Sequence, residues 1–382
     1  MAVTAIIKPT HACNFSCTYC YMDESAEKGF LSDETLENII EQVTYVNKLR
    51  NSDPKFIWHG GEPLLMKKDF YEKLLEFQRK HNHNELDLFR LTLDNETYLL
   101  ISDKVRSARN SVQSNGSLIT DEIAAYFKEK SISIGLSLDG PGEINDLTRQ
   151  YSDGKGSYDS VISGLRLCKE KQIGGGIITV LNKNNIDKMD ELYDFYKENN
   201  LSPKINPLIK SGNAEKNYED LGITPKEYGQ ALITLFDKWY YDKDTKISID
   251  PLDEMIGNIY SKDTKSCNFS NNCQESFVSI GPQGDIYPCG RFDGIQEFKL
   301  GNINKDSLNE ILDSDLRKSL LSRNHLDIAG CAKCEYGDIC HGGCMHNAYM
   351  HTGNIMDKDY YCQSYKMIFS HIKNEISKEI SV

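Results

Sequence analysis

The sequence predicts an α/β protein: a partial (β/α)6 TIM-like barrel followed by a small Cys-rich domain. Three observations carry that prediction. Six strand-like segments alternate with helical ones over residues 4–209. From about residue 262 the composition shifts to Cys, Gly and Asn with only short elements, as suits a domain held by metal rather than by a large core. The twelve cysteines are also unevenly placed, with three in residues 13–20 and eight between 267 and 362.

The elements follow in order. Residues 4–9 read as a strand leading into the first cysteine loop, and Ser32-Asp33-Glu34-Thr35 caps a helix running to about residue 50. Residues 55–59 form the next strand, Gly60-Gly61-Glu62-Pro63 its turn, and residues 69–81 a helix. Strand signals recur at 111–114, 132–138, 175–181 and 204–209, with helices near 121–130, 157–171 and 185–199. Six such units are too few to close a full barrel, so an open one is expected. Parallel barrels place chemistry at the C-terminal ends of their strands. Cys13, Gly60, Asn115, Ser137 and Pro207 all stand at such ends and should converge on one mouth. Residues 83–110 look like an insertion, a hairpin or lid, and 211–223 like a linker. Thr224-Pro225-Lys226-Glu227 caps a helix ending near residue 241. The expected division is a barrel over 1–222, a helical linker over 223–261 and the cysteine-rich domain over 262–382.

Composition narrows the function classes. At 382 residues the chain is long enough for two domains, and its net charge of −13 makes it a poor partner for nucleic acid or an anionic membrane. No run approaches the roughly 20 apolar residues of a membrane span. The first residues lack a basic leader followed by an apolar core, so a cytoplasmic location is expected. In that compartment clustered cysteines bind metal more often than they form disulfides.

The first cluster is Cys13-x3-Cys17-x2-Cys20. Three thiolates on a short loop can hold three irons of a [4Fe–4S] cube and leave the fourth open. Zinc is the alternative, but it usually takes four protein ligands; no fourth follows nearby, and His11 just before the loop is cramped for the role. The loop Cys13-Asn-Phe-Ser-Cys17-Thr-Tyr19-Cys20 resembles the signature of the radical S-adenosylmethionine (SAM) enzymes. In that family the amino and carboxylate groups of SAM chelate the open iron, and one electron cleaves SAM to a 5′-deoxyadenosyl radical that abstracts a substrate hydrogen. The resemblance implies that Tyr19 lies against the adenine.

The other strand ends admit both bland and functional readings. Gly60-Gly61-Glu62-Pro63 is a tight turn on any reading. By resemblance it is the methionine-binding turn, whose carbonyls, with Glu62, would hold the SAM ammonium. Gln113-Ser114-Asn115-Gly116 and Ser137-Leu138-Asp139-Gly140-Pro141 are consistent with ordinary strand-to-helix turns. The resemblance adds Asn115 and Ser137 to the SAM-binding set, with Arg149 neutralising the SAM carboxylate. Leu208 is then an adenine contact or plain barrel core.

The C-terminal array runs Cys267-x5-Cys273, Cys289, Cys331-x2-Cys334-x5-Cys340-x3-Cys344 and Cys362. Eight thiolates suit two cubes, or two zinc sites. The pattern is similar to the SPASM domain, the auxiliary-cluster module of peptide-modifying radical SAM enzymes. That resemblance assigns Cys267, Cys273, Cys289 and Cys344 to one [4Fe–4S] cluster and Cys331, Cys334, Cys340 and Cys362 to another. Three clusters and SAM are therefore the expected cofactors. Cys168, on a helical face, is left over as a small buried residue.

The overall layout is most similar to the anaerobic sulfatase-maturing enzymes, which oxidise a Cys or Ser of an unfolded sulfatase segment to formylglycine. Three positions depart from that pattern. In the family an Asp follows the third auxiliary cysteine as base; here Gly290-Arg291-Phe292-Asp293 follows Cys289, which makes Asp293 the candidate base. The Gln before the Gly-Gly-Glu-Pro turn is His59, and a Tyr two residues beyond the cluster loop is Met22. Changed substrate residues on a kept cofactor frame lead to the expectation of a different product. That product is an oxidative side-chain crosslink (cyclophane, carbon–carbon, ether or thioether) in a ribosomally made precursor peptide, with electrons passed to or from a flavodoxin or ferredoxin. Formylglycine formation is the alternative, and a non-catalytic iron–sulfur or zinc protein a third reading.

Overall fold

The computed structural model describes residues 2–22, 28–82, 108–262, 264 and 266–380. Six strands build the barrel wall: β1 (Thr4–Ile7), β2 (Lys55–Trp58), β3 (Arg109–Ser114), β4 (Ser133–Ser137), β5 (Gly174–Leu181) and β6 (Pro203–Pro207). Each pairs in parallel with the next, Ile7 opposite Trp58 and Leu181 opposite Pro207. Five helices complete the units: α1 (Asp33–Leu49), α2 (Lys67–Asn82), α3 (Asp121–Glu129), α4 (Tyr158–Lys171) and α5 (Met189–Glu198). Sequence explains their starts. The side chains of Ser32 and Thr120 accept from the backbone N–H three residues on, satisfying donors that a helix N-terminus leaves unpaired. Ile39, Ile40 and Val43 of α1 and Phe70, Tyr71 and Leu74 of α2 are buried in the main core, where strands and helices meet. Cys168 is buried there too, and burial pushes its thiol up to about 12, as suits an inert core residue.

The cysteine-rich segment does not stand apart from the barrel. Its strand β7 (Phe277–Ile280) pairs in parallel with β1, Thr4 opposite Phe277, and the antiparallel β8 (Asp285–Tyr287) and β9 (Gly301–Asn302) extend the sheet. The sheet order is β6-β5-β4-β3-β2-β1-β7-β8-β9. An open barrel leaves β1 with an unpaired edge, and β7 satisfies it. At the far edge Ile205 N–H donates to Asp250 O, covering β6. Helix α6 (Pro225–Tyr241) opens on the expected capping box of Thr224 and Glu227. It packs against the final helix α7 (Cys362–Ile380), where Phe236 meets His371 edge-on at 5.7 Å and Tyr241 Oη donates to Glu375.

Three expectations shift. Residues 211–223 are not a plain linker but two short helices, Asn213–Lys216 and Tyr218–Leu221. Asn213 N–H donates to Cys20 O and Asn217 Nδ2 to Thr18 O, so these turns brace the first cysteine loop from behind. The fifth helix starts at Met189 rather than near 185, because Asn185 Oδ1 accepts from Asn182 N–H and holds a turn there. A short helix, Gly142–Asp146, precedes α4. The suggested insertion lies outside the described residues up to 107, and 109–110 belong to β3. No helix among the described residues is long and apolar enough to cross a membrane.

Candidate active site

The C-terminal ends of the barrel strands open into one cavity of about 870 Å³. Cys13, Cys17 and Cys20 line one side, and Cys267, Cys273, Cys289 and Cys344 another. His59, Gly60, Gly61, Asn115, Ser137, Arg149 and Met22 also reach it. Parallel topology therefore brings together most of the expected site residues.

Main-chain bonds hold the first cysteine loop. Gly61 N–H donates to Thr10 O and Glu62 N–H to Ala12 O, locking the glycine turn onto residues 10–12. The approach is so close that a Cβ on Gly61 would overlap the carbonyl of Ala12, and Gly60 takes φ +109°, a conformation that favours glycine. From the other flank Asn115 Nδ2 donates to Asn14 Oδ1 at 2.8 Å and lies 3.7 Å from Cys13 Sγ. The Glu62 side chain does not face the cavity. It is fully buried and accepts from Leu64 N–H, Ser114 Oγ and Asn115 N–H, tying β2 to the end of β3, and burial lifts its carboxyl to about 7. Its carboxylate is thus taken up by the turn itself and the end of β3.

Asp139, read from sequence as a turn residue, is a hub. It is wholly buried and accepts from Tyr19 Oη, Thr148 Oγ1, Arg149 Nη2 and Val180 N–H. Tyr19 is thereby fixed at the cavity wall, with the Arg149 guanidinium 5.3 Å from its ring centre. Arg149 Nε is buried without a hydrogen-bond partner, an orphan donor beside the cavity that suits an anionic group such as a carboxylate. Ser137 Oγ accepts from Gln113 Nε2 at the rim. Leu208 lies one residue past β6, fully buried in the apolar cluster behind Tyr19 and away from the lining.

The opposite wall is built from side-chain pairs. Lys8, 1% exposed at the end of β1, donates from Nζ to Gly290 O at 2.9 Å and pairs with Asp293 Oδ2 at 2.8 Å. Asp293 also lies 3.0 Å from His11 Nε2. Burial opposes its charge, but Lys8 and His11 override this and hold the carboxyl down at about 2. A carboxylate so stabilised is a weak proton acceptor. Nδ1 of His59 accepts from Gly60 N–H, so the neutral ring carries its proton on Nε2, and burial together with the Lys8 charge keeps it neutral by lowering it to about 4. Sequence reasoning missed Lys8 and Arg291; a lone lysine closing an apolar strand was the available signal.

The cysteines form three sets. Cys13, Cys17 and Cys20 interact mutually, and burial raises the first two thiols to about 11 and about 12. Cys273 feels Cys344, Cys289 and Cys267, whereas Cys331, Cys334, Cys340 and Cys362 feel one another. Among the described residues no three Cys, His, Asp or Glu side chains converge on a single-ion site. Three thiols on one short loop and two groups of four suit three [4Fe–4S] clusters.

Comparison with known proteins agrees with this geometry. The radical SAM superfamily matches residues 7–196, and the SPASM iron–sulfur cluster-binding domain matches residues 267–335. The chain is similar to the cysteine-type anaerobic sulfatase-maturating enzyme of Clostridium perfringens, 29% identical over 97% of this chain and 96% of that one. It is also similar to the serine-type enzyme of Bacteroides thetaiotaomicron, 28% identical over 96% and 88%. Among solved structures, native anSMEcpe with bound AdoMet and Cp18Cys peptide superposes with a TM-score of 0.83 at 27% identity, covering 100% of both chains. These findings overturn the expected crosslink. Streptococcus suis SuiB bound to precursor peptide SuiA reaches only 17% identity at a TM-score of 0.65, a likeness of fold alone. Three altered side chains on the cavity wall do not outweigh similarity to sulfatase maturases along nearly the entire chain.

Proposed function

The chain belongs to the radical SAM superfamily, with an iron–sulfur SPASM domain after its barrel, and on that premise we propose that it oxidises a cysteine side chain of a peptide to formylglycine, the sulfatase-maturing reaction. It is an enzyme that uses SAM and several [4Fe–4S] clusters. Bound there, SAM and its cluster supply the radical that removes a hydrogen atom from the substrate, and the auxiliary clusters supply a path for the second electron. Cys13, Cys17 and Cys20 would hold the SAM cluster. Cys267, Cys273, Cys289 and Cys344 would hold the near auxiliary cluster, and Cys331, Cys334, Cys340 and Cys362 the far one. The turn carbonyls at Gly60 and Gly61, with Asn115, Ser137, Tyr19 and Arg149, would seat SAM. A flavodoxin- or ferredoxin-type carrier would exchange electrons with the far cluster.

One observation carries the reading: seven thiols from the first two sets line a single cavity, so a peptide side chain can sit between them. The chemistry balances. The thiol side chain and one water become an aldehyde and hydrogen sulfide, releasing two electrons and two protons. The wall favours cysteine over serine. Gly290 stands where the sulfatase maturases carry their acid, Asp293 is held charged by Lys8, and His59 presents a donor. A thiol with an ordinary pKa of about 8.5 loses its proton far more readily than an alcohol does, so it depends least on a base.

The test is anaerobic incubation of the reconstituted enzyme with SAM, reductant and Cys-x-Pro-x-Arg or Ser-x-Pro-x-Arg peptides. The cysteine peptide should gain an aldehyde, trapped as a hydrazone, while the serine peptide reacts much more slowly. SAM cleavage without any aldehyde in either peptide would sink the reading.

A further inference from the structure

Beside the near cysteine set stands a charged residue with no assigned task. Arg291 follows Gly290 and lines the cavity. Its Nη1 lies 3.7 Å from Cys344 Sγ and 3.3 Å from Asn347 Oδ1. Among the groups that act most strongly on its charge are Cys344, Cys267 and Cys289, all of one cysteine set. Two other arginines near this set are occupied differently. Arg317 donates to the carbonyls of Gln274 and Phe277, and Arg323 to those of Ile355, Gly342, Gly343 and Asp357. Those two brace the fold, whereas Arg291 directs its guanidinium at a thiol and an amide.

We propose that Arg291 is a positioning residue that raises the reduction potential of the cluster held by Cys267, Cys273, Cys289 and Cys344, making that wall of the cavity the electron acceptor. The inference rests on the cluster assignment above. An added electron makes a cluster more negative, so a fixed cation beside it stabilises the reduced state more than the oxidised one. An N–H donor on a ligating sulfur acts in the same direction. The electron balance is simple. The carbon-centred substrate radical loses one electron to this cluster and the sulfhydryl proton to solvent, and an external one-electron carrier later removes the electron.

The experiment is a potentiometric titration, followed by electron paramagnetic resonance, of the anaerobically reconstituted full chain without peptide. Cys344→Ala identifies the signal that belongs to this cluster. Arg291→Gln should keep the parent's iron and sulfide content while its cluster reduces only at lower potential. At the parent midpoint the reduced-to-oxidised ratio should fall about tenfold, roughly 59 mV for one electron. A midpoint unmoved in Arg291→Gln, or in Arg291→Met should the glutamine variant fail to load iron, overturns the proposal. Because no substrate is present, this result is independent of whether an aldehyde forms. A shifted midpoint with no aldehyde would leave the role of Arg291 standing and remove only the formylglycine reading.

Discussion

The two walls of the cavity are built on different principles. On the side of Cys13, Cys17 and Cys20, main-chain bonds set the turn and loop, Gly61 N–H to Thr10 O, Glu62 N–H to Ala12 O and Asn213 N–H to Cys20 O, and side chains such as Asn115, Asn217 and Tyr19 brace them. Opposite, side chains set the geometry, through Lys8 on Asp293 and Gly290, His11 on Asp293 and Arg291 on Cys344. Backbone contacts tolerate many side chains but few changes at glycine. Side-chain pairs can be exchanged one residue at a time. This contrast explains how the wall near Gly290 can differ from that of the sulfatase maturases while the cofactor side keeps its motifs.

The largest expected effect breaks the side-chain wall. Lys8→Met leaves the Asp293 carboxylate buried without its lysine partner, which should cost about 3 kcal/mol of stability. Urea or thermal unfolding of the apoprotein measures it. The double variant with Asp293→Asn should recover much of the loss, because it removes the stranded charge. A Lys8→Met protein as stable as the parent would mean that this wall does not depend on the pair.

Breaking the main-chain wall should show in ligand binding. Gly61→Ala forces a methyl into the carbonyl of Ala12, so the turn and the first cysteine loop must separate. SAM affinity is expected to fall about a hundredfold, near 2.7 kcal/mol, as read by equilibrium binding to the reconstituted enzyme. The auxiliary clusters, on other elements, should load normally. An affinity within a few-fold of the parent would show that the turn does not set the SAM site.

What sequence revealed of these walls follows the same division. Strand ends and cysteine spacings are local signals, so the chain alone places Cys13, Gly60, Asn115 and Ser137 at one mouth. Lys8 and Asp293, or Tyr19 and Asp139, are far apart in the chain, and no periodicity links them. Asp139 read as a turn former because its partners come from separate segments. Glu62 was expected at the ligand, yet its carboxylate turns inward, where the β3 end and its own turn offer three donors. The crosslink reading failed for a related reason: it weighed three side chains against a main-chain frame whose resemblance runs the length of the protein.

A smaller effect separates the pair's charge from its packing. Asp293 titrates at about 2 in the folded chain and near 3.9 when unfolded, so its ionisation favours folding. That contribution, about 2 kcal/mol, is present above about pH 4 and is lost as pH falls through about 2. Asp293→Asn should therefore be less stable than the parent at neutral pH, with the gap closing between about pH 4 and about pH 2. A gap that stays constant over that range would assign the difference to packing.

The smallest expected change would convert one wall toward that of the sulfatase maturases. A Cβ at Gly290 would meet Ile6 Cγ2 at 3.4 Å and Ser279 Oγ at 4.0 Å, so an aspartate side chain can be accommodated with slight adjustment. Ser279 is buried and its hydroxyl has no partner, which offers the new carboxylate a donor. Gly290→Asp should speed the serine peptide about tenfold, a modest share of what a well-placed general base supplies. The cysteine peptide, already able to lose its proton, should change little. The ratio of the two rates is the useful reading, because partial cluster loss would slow both alike. Equal acceleration of both peptides would mean that the acid acts on something other than the substrate proton. No acceleration of either would mean that Gly290 is not what limits serine oxidation.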